Sequence, residues 1–266
     1  MILIKILIII IFIYGVYMIT KNTFRNKKYF YPKTDLIKLG HRGYPKKSVE
    51  NTIESFQEAL DSELDGVELD VQFTLDKKMI VYHNWDIETE NGKFELIKNL
   101  SYEKICTITS KLNYKVPLLI EVIKLLKNKC IINIEIKSLS YTNSKIERSI
   151  VDLINLYDIT ANCIVSSFNP LVIRRIKKID PNINTAFLWT KNNSQLIFNT
   201  PIWIQFCIPN SIHVDINLLD DNLIQWVRQK KLSIMVFTIT NQKEFEKAKS
   251  FNVDGVIIEQ QNLITF

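Results

Sequence analysis

Four short segments between residues 41 and 137 contain the residue types that metal, acid–base and phosphate chemistry require. They are His41-Arg42-Gly43, Glu68-Leu69-Asp70, His83 and Glu135-Ile136-Lys137. Each segment closes or directly follows a run of apolar and β-branched residues, which is typical of strand ends. Two of the three histidines in the chain occur in these segments. The segments are therefore the first candidates for a functional site.

Three of these side chains are carboxylates that strand geometry places on shared faces. Side chains alternate along a strand, so Glu68 and Asp70 share one face, and Glu135 shares a face with Lys137. Converging carboxylates in a partly desolvated site repel one another unless a cation holds them. An all-oxygen set suits Mg²⁺ or Ca²⁺, whereas zinc prefers His and Cys ligands. We expect Glu68, Asp70 and Glu135 to bind a divalent metal ion.

The remaining side chains fit the chemistry of a phosphoester. His41 and His83 could exchange protons near neutral pH, as an acid–base pair requires. Arg42 offers a planar fork of donors to a phosphate, and Lys137 offers a point charge. Together the residues predict a site that hydrolyses a phosphoester with metal assistance.

The segments that position these residues alternate between strand-like and helix-like patterns after residue 35. About eight such units, with no composition break, favour a single (β/α)8 TIM barrel with catalytic groups at the carboxyl ends of its strands. A doubly wound open sheet is the alternative, although no Gly-rich first turn is present. Residues 84–116 form a small polar insertion after the second unit, with a short helix near 101–106. The predicted strands are 36–39, 66–73, 79–82, 131–136, 163–166, 184–188, 202–207, 233–238 and 255–258. The predicted helices are 51–62, 118–127, 144–156, 171–178, 218–230 and 242–250.

An apolar run precedes the predicted barrel. Lys5 is the only charged residue between positions 2 and 19, and a helix of this length spans about 27 Å, close to a bilayer core of about 30 Å. We expect a transmembrane anchor at 2–20 and a basic juxtamembrane linker at 21–35 that contacts membrane lipid. A cleaved signal peptide is the rival, but no small-x-small cleavage site follows the run. The basic linker favours a cytoplasmic catalytic domain.

The overall charge of +6 argues against a nucleic-acid partner once it is divided along the chain. The first 35 residues carry six basic side chains and one acidic one, so the remainder is almost neutral. A nucleic-acid binder is expected to carry its basic excess on the folded domain. The four cysteines are widely spaced without a CxxC pair, and we expect reduced, mostly buried thiols.

The same segments and several others resemble the glycerophosphodiester phosphodiesterase family, in order, over roughly residues 36–259. The resemblance depends on their combination, because any one triplet would be weak. The segments include His41-Arg42-Gly43, Glu50-Asn51-Thr52, Asp65-Gly66-Val67-Glu68-Leu69-Asp70, Val81-Tyr82-His83-Asn84, Asn133-Ile134-Glu135-Ile136-Lys137 and Val253-Asp254-Gly255-Val256-Ile257.

The resemblance implies a barrel over 36–266 that hydrolyses glycerophosphodiesters to glycerol 3-phosphate and an alcohol. It also implies the roles of individual residues: the divalent metal on Glu68, Asp70 and Glu135, acid–base catalysis by His41 and His83, phosphate contacts from Arg42 and Lys137, and a further metal or substrate contact from Glu50. The chain departs from the family's pattern at Phe237-Thr238-Ile239-Thr240, where Trp-Thr-Val-Asn is common, and at Asn84, where Asp is usual.

Two alternatives remain open. A lysophospholipase D of the same barrel class would take lysophospholipids from the bilayer, with Trp189, Trp203 and Phe206 lining an acyl-accepting mouth. A non-catalytic membrane-bound module would have lost some acid–base or metal residues. All seven core positions carry the expected residue, which favours the enzyme.

Overall fold

The computed structural model describes residues 5–7, 9–14, 36–89, 91–142, 145–191 and 203–259. Eight parallel strands in this part of the chain form a closed barrel. The strands are β1 Ile37–Gly40, β2 Gly66–Phe73, β3 Met79–Val81, β4 Asp86–Glu88, β5 Phe94–Leu96, β6 Ile131–Ile136, β7 Cys163–Ser167, β8 Asn184–Trp189, β9 Ser211–Asp215, β10 Ser233–Ile239 and β11 Gly255–Ile258. The helices are α1 Ile53–Leu60, α2 Tyr102–Ser110, α3 Leu119–Leu126, α4 Lys145–Leu156, α5 Pro170–Ile179, α6 Trp203–Cys207, α7 Asp221–Gln229 and α8 Gln242–Ser250.

The barrel closes because β1 pairs in parallel with both β2 and β11. The remaining strands follow around the ring in the order β2, β6, β7, β8, β9, β10 and β11. The expected (β/α)8 architecture is confirmed. In such a barrel the carboxyl ends of all eight strands meet at one rim, where side chains from distant parts of the sequence come together.

Alternation along the strands divides the side chains between two environments. Val67, Leu69 and Val71 of β2 point outward and pack in the main hydrophobic cluster beneath the helices. Burying each such side chain contributes about 1.5–3 kcal/mol. The intervening residues Glu68 and Asp70 occupy the opposite, interior face. The barrel interior has a smaller apolar cluster, formed by Ile37, Leu39, Ile164, Ala186, Met235 and Ile257.

Local signals determine where several of the outer helices begin. Thr52 caps α1 and forms a capping box with Ser55, which satisfies two backbone donors that the first turn leaves open. Asn169 caps α5, and Pro170 takes the first helical position, where a missing N–H costs nothing. These caps make the rim-side start of each helix well defined.

Between β2 and β6 the chain adds elements outside the barrel. Strand β3 pairs antiparallel with the end of β2, and β4 and β5 then form a separate two-stranded sheet. Helix α2 follows, and the segment has its own hydrophobic cluster. That cluster comprises Ile80, Ile87, Ile97, Leu100, Ile105, Ile108 and Val116. The predicted strand at 79–82 is therefore real but is not a barrel strand.

One predicted strand is wrong. Residues 203–207, within the predicted strand 202–207, form helix α6, and the barrel strand lies at β9, where Ser211 pairs with Ala186 of β8 and Ser233 of β10. A short apolar run has no periodicity that separates a strand from a buried helix. Pairing with two neighbouring strands decided the assignment.

The predicted anchor at 2–20 lies only partly within the described residues, and the linker at 21–35 lies wholly outside them. Residues 5–7 and 9–14 are helical. Within the described part of the chain, no helix combines the length and apolarity that a membrane crossing requires.

Candidate active site

Strand register brings the predicted acidic residues to one place on the carboxyl rim. Asp70 of β2 lies opposite Glu135 of β6, and Glu68 lies opposite Asn133 in the same pairing. One carboxylate oxygen from each of Glu68, Asp70 and Glu135 falls within 4.8 Å of the others. These acidic residues have the geometry to hold a metal ion.

Burial makes negative charge on this acidic cluster unfavourable. Desolvation raises the pKa of Glu135 to about 7, even though Lys137 favours its charged form. Desolvation and the neighbouring charge of Asp70 raise the pKa of Glu68 well above its ordinary value. Burial acts in the same sense on Asp70, but Lys137, His83 and Arg42 outweigh it and lower that pKa. A bound cation would relieve the repulsion among the three groups.

The loop after β1 positions His41 and Arg42 through unusual backbone geometry. Arg42 has φ 55° and Gly43 has φ 86°, and the Arg42 N–H donates to Glu68 Oε2 at 3.0 Å. A Cβ added to Gly43 would lie 2.4 Å from Ser55 Oγ, so glycine is required there. The turn leaves His41 Nε2 4.0 Å from Glu68 Oε2.

The Arg42 guanidinium lies between two carboxylates. Its Nη1 donates to both oxygens of Glu50, at 2.7 and 2.9 Å, and its Nε is 3.4 Å from Asp70 Oδ2. Glu50 is thus placed on the arginine rather than in the three-carboxylate cluster. These contacts fix the guanidinium beside the cavity that Arg42 lines, and they leave the Nη2 donors for a phosphate.

His83 faces the cluster from the segment after β3. Its Nδ1 donates to Asn84 Oδ1 at 2.9 Å, so Nε2 is the ring nitrogen that can exchange a proton. Burial lowers the pKa of His83, and burial together with the Arg42 charge lowers that of His41 to about 3. Both shifts favour the neutral imidazole, which can accept a proton, whereas the negative charge of a bound phosphate would favour the protonated form of either ring.

Lys137 completes the group of predicted residues. Its Nζ lies 3.6 Å from Asp70 Oδ1 and 3.6 Å from Glu135 Oε1. The same ammonium sits 5.4 Å from the centroid of the Trp85 ring, a distance suited to a cation–π contact. Lys137 thus links the acidic cluster to the segment beyond His83.

These side chains surround a cavity of about 160 Å³ at the rim. Phe168 and Phe237 form one wall, with ring centroids 6.0 Å apart in an edge-to-face arrangement. Phe237 therefore retains an aromatic wall where the family commonly has Trp. The predicted residues that line the cavity are His41, Arg42, Glu68, Asp70, His83 and Glu135.

Sequence reasoning missed two residues of this site. Asn51 donates from Nδ2 to Asp70 Oδ2 at 3.0 Å and accepts from the Asp70 N–H at 3.3 Å. Asn133 lines the cavity, is fully buried, and has no hydrogen-bond partner for its side chain in the described structure. Its parity with Glu135 on β6 was the signal that could have identified it.

Several other polar and aromatic side chains pack in the interior of the barrel or in its hydrophobic clusters rather than in the active site. His213 is fully buried inside the barrel, 3.4 Å from Ser211 Oγ, in agreement with a structural role. Trp189, Trp203 and Phe206 pack against the main hydrophobic cluster rather than around the active-site cavity. All four cysteines lie in the described residues and none forms a disulfide; two of them are buried and two are half-buried.

A barrel whose rim joins three carboxylates, two imidazoles and an arginine defines a class of phosphoester-processing enzymes. The model of the glycerophosphoryl diester phosphodiesterase family matches residues 41–262. The chain belongs to this family, and the expected resemblance and enzyme class are confirmed.

Individual relatives agree with this assignment. The chain is 28% identical to a glycerophosphodiester phosphodiesterase from Caldanaerobacter subterraneus over 83% of its own length and 93% of the relative's. A crystal structure of a glycerophosphodiester phosphodiesterase from Thermotoga maritima superposes with a TM-score of 0.66 at 28% identity, covering 84% and 94% of the two chains. A phosphodiesterase from Oleispira antarctica in complex with the product sn-glycerol-3-phosphate has a TM-score of 0.71 at 18% identity, covering 86% and 93%.

Proposed function

We propose that this chain is a metal-dependent glycerophosphodiester phosphodiesterase that releases glycerol 3-phosphate and an alcohol, with His41 and His83 as its acid–base pair. The observation that carries the proposal is the cavity at the rim, which joins both imidazoles, Arg42 and the carboxylate cluster in one place. Membership of the family and the product bound by the Oleispira relative support the choice of substrate.

The donor set supports a divalent ion as cofactor. Glu68, Asp70 and Glu135 offer only oxygen ligands, which Mg²⁺ and Ca²⁺ prefer. The raised pKa values of Glu68 and Glu135 indicate a cluster that lacks sufficient positive charge by itself. When bound, such an ion supplies charge neutralisation and polarises the phosphate oxygens.

Proton transfers follow from the two imidazoles. One imidazole accepts the proton of a hydroxyl of the substrate's own glycerol as that oxygen attacks phosphorus. The bond from phosphorus to the leaving alcohol breaks, and the other imidazole, in its protonated form, donates a proton to the departing oxygen. Water then attacks the cyclic phosphate while the imidazole left neutral by the first step accepts its proton. The bond from phosphorus to the attacking glycerol oxygen breaks, and the protonated imidazole returns its proton to that oxygen, so that one water is consumed for each diester cleaved. Arg42 and Lys137 stabilise the charge that grows on the phosphate oxygens.

A membrane location is part of the proposal. The apolar run at 2–19 supports a single-pass anchor, and the basic residues of 21–35 support a cytoplasmic catalytic domain. Carbonate extraction of cell membranes would test the anchor: an anchored chain stays in the pellet. Protease treatment of right-side-out vesicles would test the side, since a cytoplasmic barrel is protected.

The activity is tested with the full chain purified in neutral detergent. It is incubated with glycerophosphocholine or lysophosphatidylcholine, in the presence of Mg²⁺, Ca²⁺ or EDTA, and assayed for glycerol 3-phosphate and choline. We expect metal-dependent release of both products from glycerophosphocholine. Choline release from the lysolipid alone would replace the proposal with a lysophospholipase D, and no reaction with a series of glycerophosphodiesters would favour a non-catalytic module.

A further inference from the structure

A second and larger cavity adjoins the active site on the side of the β4–β5 sheet. It has a volume of about 540 Å³, which is within the range of cavities that bind small organic molecules. Lys137 lines it, and the same lysine contacts Asp70 and Glu135 of the acidic cluster. The Lys137 side chain therefore lies between the two cavities.

The position of this cavity suits the leaving alcohol of a phosphodiester. Gln72 lines the cavity and donates to the carbonyl oxygens of Tyr82 and Asn84, so the cavity lies beside the backbone that carries His83. The active-site cavity of about 160 Å³ has little room beyond a phosphate with its glycerol. The rest of a larger substrate must extend into adjoining space.

The charged side chains in the described lining of this cavity are all basic. Lys77, Lys98, Lys137 and Lys145 all border the cavity, and no Asp or Glu is among the described residues that line it. Lys77, Lys98 and Lys145 are exposed at the edge of the cavity. An anionic group would gain several charge-assisted contacts here.

The same lining is unfavourable for a quaternary ammonium group. Such cations are bound by aromatic faces or carboxylates, and the described lining of this cavity has two aromatic side chains, Phe73 and Trp85. The Lys137 ammonium already lies 5.4 Å from the Trp85 ring centroid. A second cation on that face would be repelled by Lys137 and by the exposed lysines of the rim.

We propose that this cavity binds the leaving alcohol and selects phosphodiesters whose alcohol carries negative charge, such as a further phosphate. The inference rests on the proposed function, because it names the substrate class of the same site. The apolar part of the lining, which includes Leu96, Leu139 and Ile146, packs against the carbon atoms of the alcohol.

The test compares three water-soluble diesters that differ in the charge of the leaving alcohol. These are glycerophosphocholine, deacylated phosphatidylglycerol and deacylated cardiolipin, whose alcohols are cationic, neutral and anionic. The full chain is assayed for release of glycerol 3-phosphate, and kcat/KM is measured for each. We expect the order anionic, neutral, cationic, with a fall of about fivefold in the anionic-to-cationic ratio for each of Lys98→Gln and Lys145→Gln.

Lys93→Gln is the matched control. Lys93 is exposed beside β5 but does not line the cavity, so its substitution should leave the ratio unchanged. Hydrolysis that favours glycerophosphocholine, or a ratio that Lys98→Gln and Lys145→Gln do not alter, would overturn this inference while the proposed function stands. Absence of hydrolysis for all three diesters would overturn both.

Discussion

The Asn51 side chain makes two hydrogen bonds to Asp70: its Nδ2 donates to Asp70 Oδ2 at 3.0 Å, and its Oδ1 accepts from the Asp70 backbone N–H at 3.3 Å. Asn51 does so from a left-handed backbone conformation with φ 58°. Asn tolerates this conformation better than most residues. Asn51 is therefore a positioning residue that holds one carboxylate of the acidic cluster.

Two substitutions of Asn51 separate the contribution of its side-chain amide from that of its left-handed backbone conformation. Asn51→Gly keeps the left-handed backbone but removes the amide, and we expect about a tenfold loss of kcat/KM, from one lost hydrogen bond to a charged group of about 1.5 kcal/mol. Asn51→Ala should lose as much activity and a further 1 kcal/mol or so of stability. Kinetics and urea unfolding of the two variants measure each part. Equal stabilities would contradict the backbone argument.

The two imidazoles are expected to be essential for turnover. His41→Ala and His83→Ala should each lower kcat by about 10² or more, the usual contribution of a positioned acid or base. Circular dichroism should remain that of the wild type, because both side chains lie at the rim rather than in the core. His213→Gln is the histidine control and should keep normal turnover. Normal activity of His41→Ala or His83→Ala would overturn the assignment of these two residues as the acid–base pair.

Loss of one carboxylate should weaken metal binding. Adding Mg²⁺ or Ca²⁺ to the metal-free chain should raise the melting temperature, because an ion bound only by the folded state stabilises it. Glu135→Gln and Glu68→Gln should reduce this rise and the turnover together. Glu103→Gln, an exposed position on α2, should leave the rise intact. An equal rise in all variants would place the ion elsewhere.

Acid should weaken the fold partly through His213. Burial lowers the pKa of His213 to about 3, below its unfolded value of 6.5, so only the unfolded chain takes up this proton between these pH values. Stability from this group is full above pH 6.5 and falls by about 1.4 kcal/mol for each pH unit below it. His213→Gln should therefore lose about 2 kcal/mol less than the wild type between pH 7 and pH 5 in urea unfolding. Parallel losses would contradict the burial of a neutral imidazole.

Much of the architecture could be read from local patterns. The strands 66–73, 131–136 and 255–258 coincide with the predicted ranges, because alternation and β-branched content act over a few residues. The strand predicted at 202–207 was wrong, because no periodicity is visible over so few apolar residues. Five or six apolar residues fit a helix or a strand equally well until neighbouring strands compete for the backbone.

The sequence by itself determined the chemical inventory of the rim, since the parity of Glu68 with Asp70 and of Glu135 with Lys137 is a local property of a strand. The tertiary structure alone decided which distant groups meet. Asn51 reaches Asp70, and the Asn133 side chain faces the cavity with no hydrogen-bond partner among the described residues, because sheet register and the loop after β1 set those distances. The lysine-lined cavity likewise joins segments separated by up to about seventy residues. Contacts of that kind depend on closing the barrel, which no local pattern encodes.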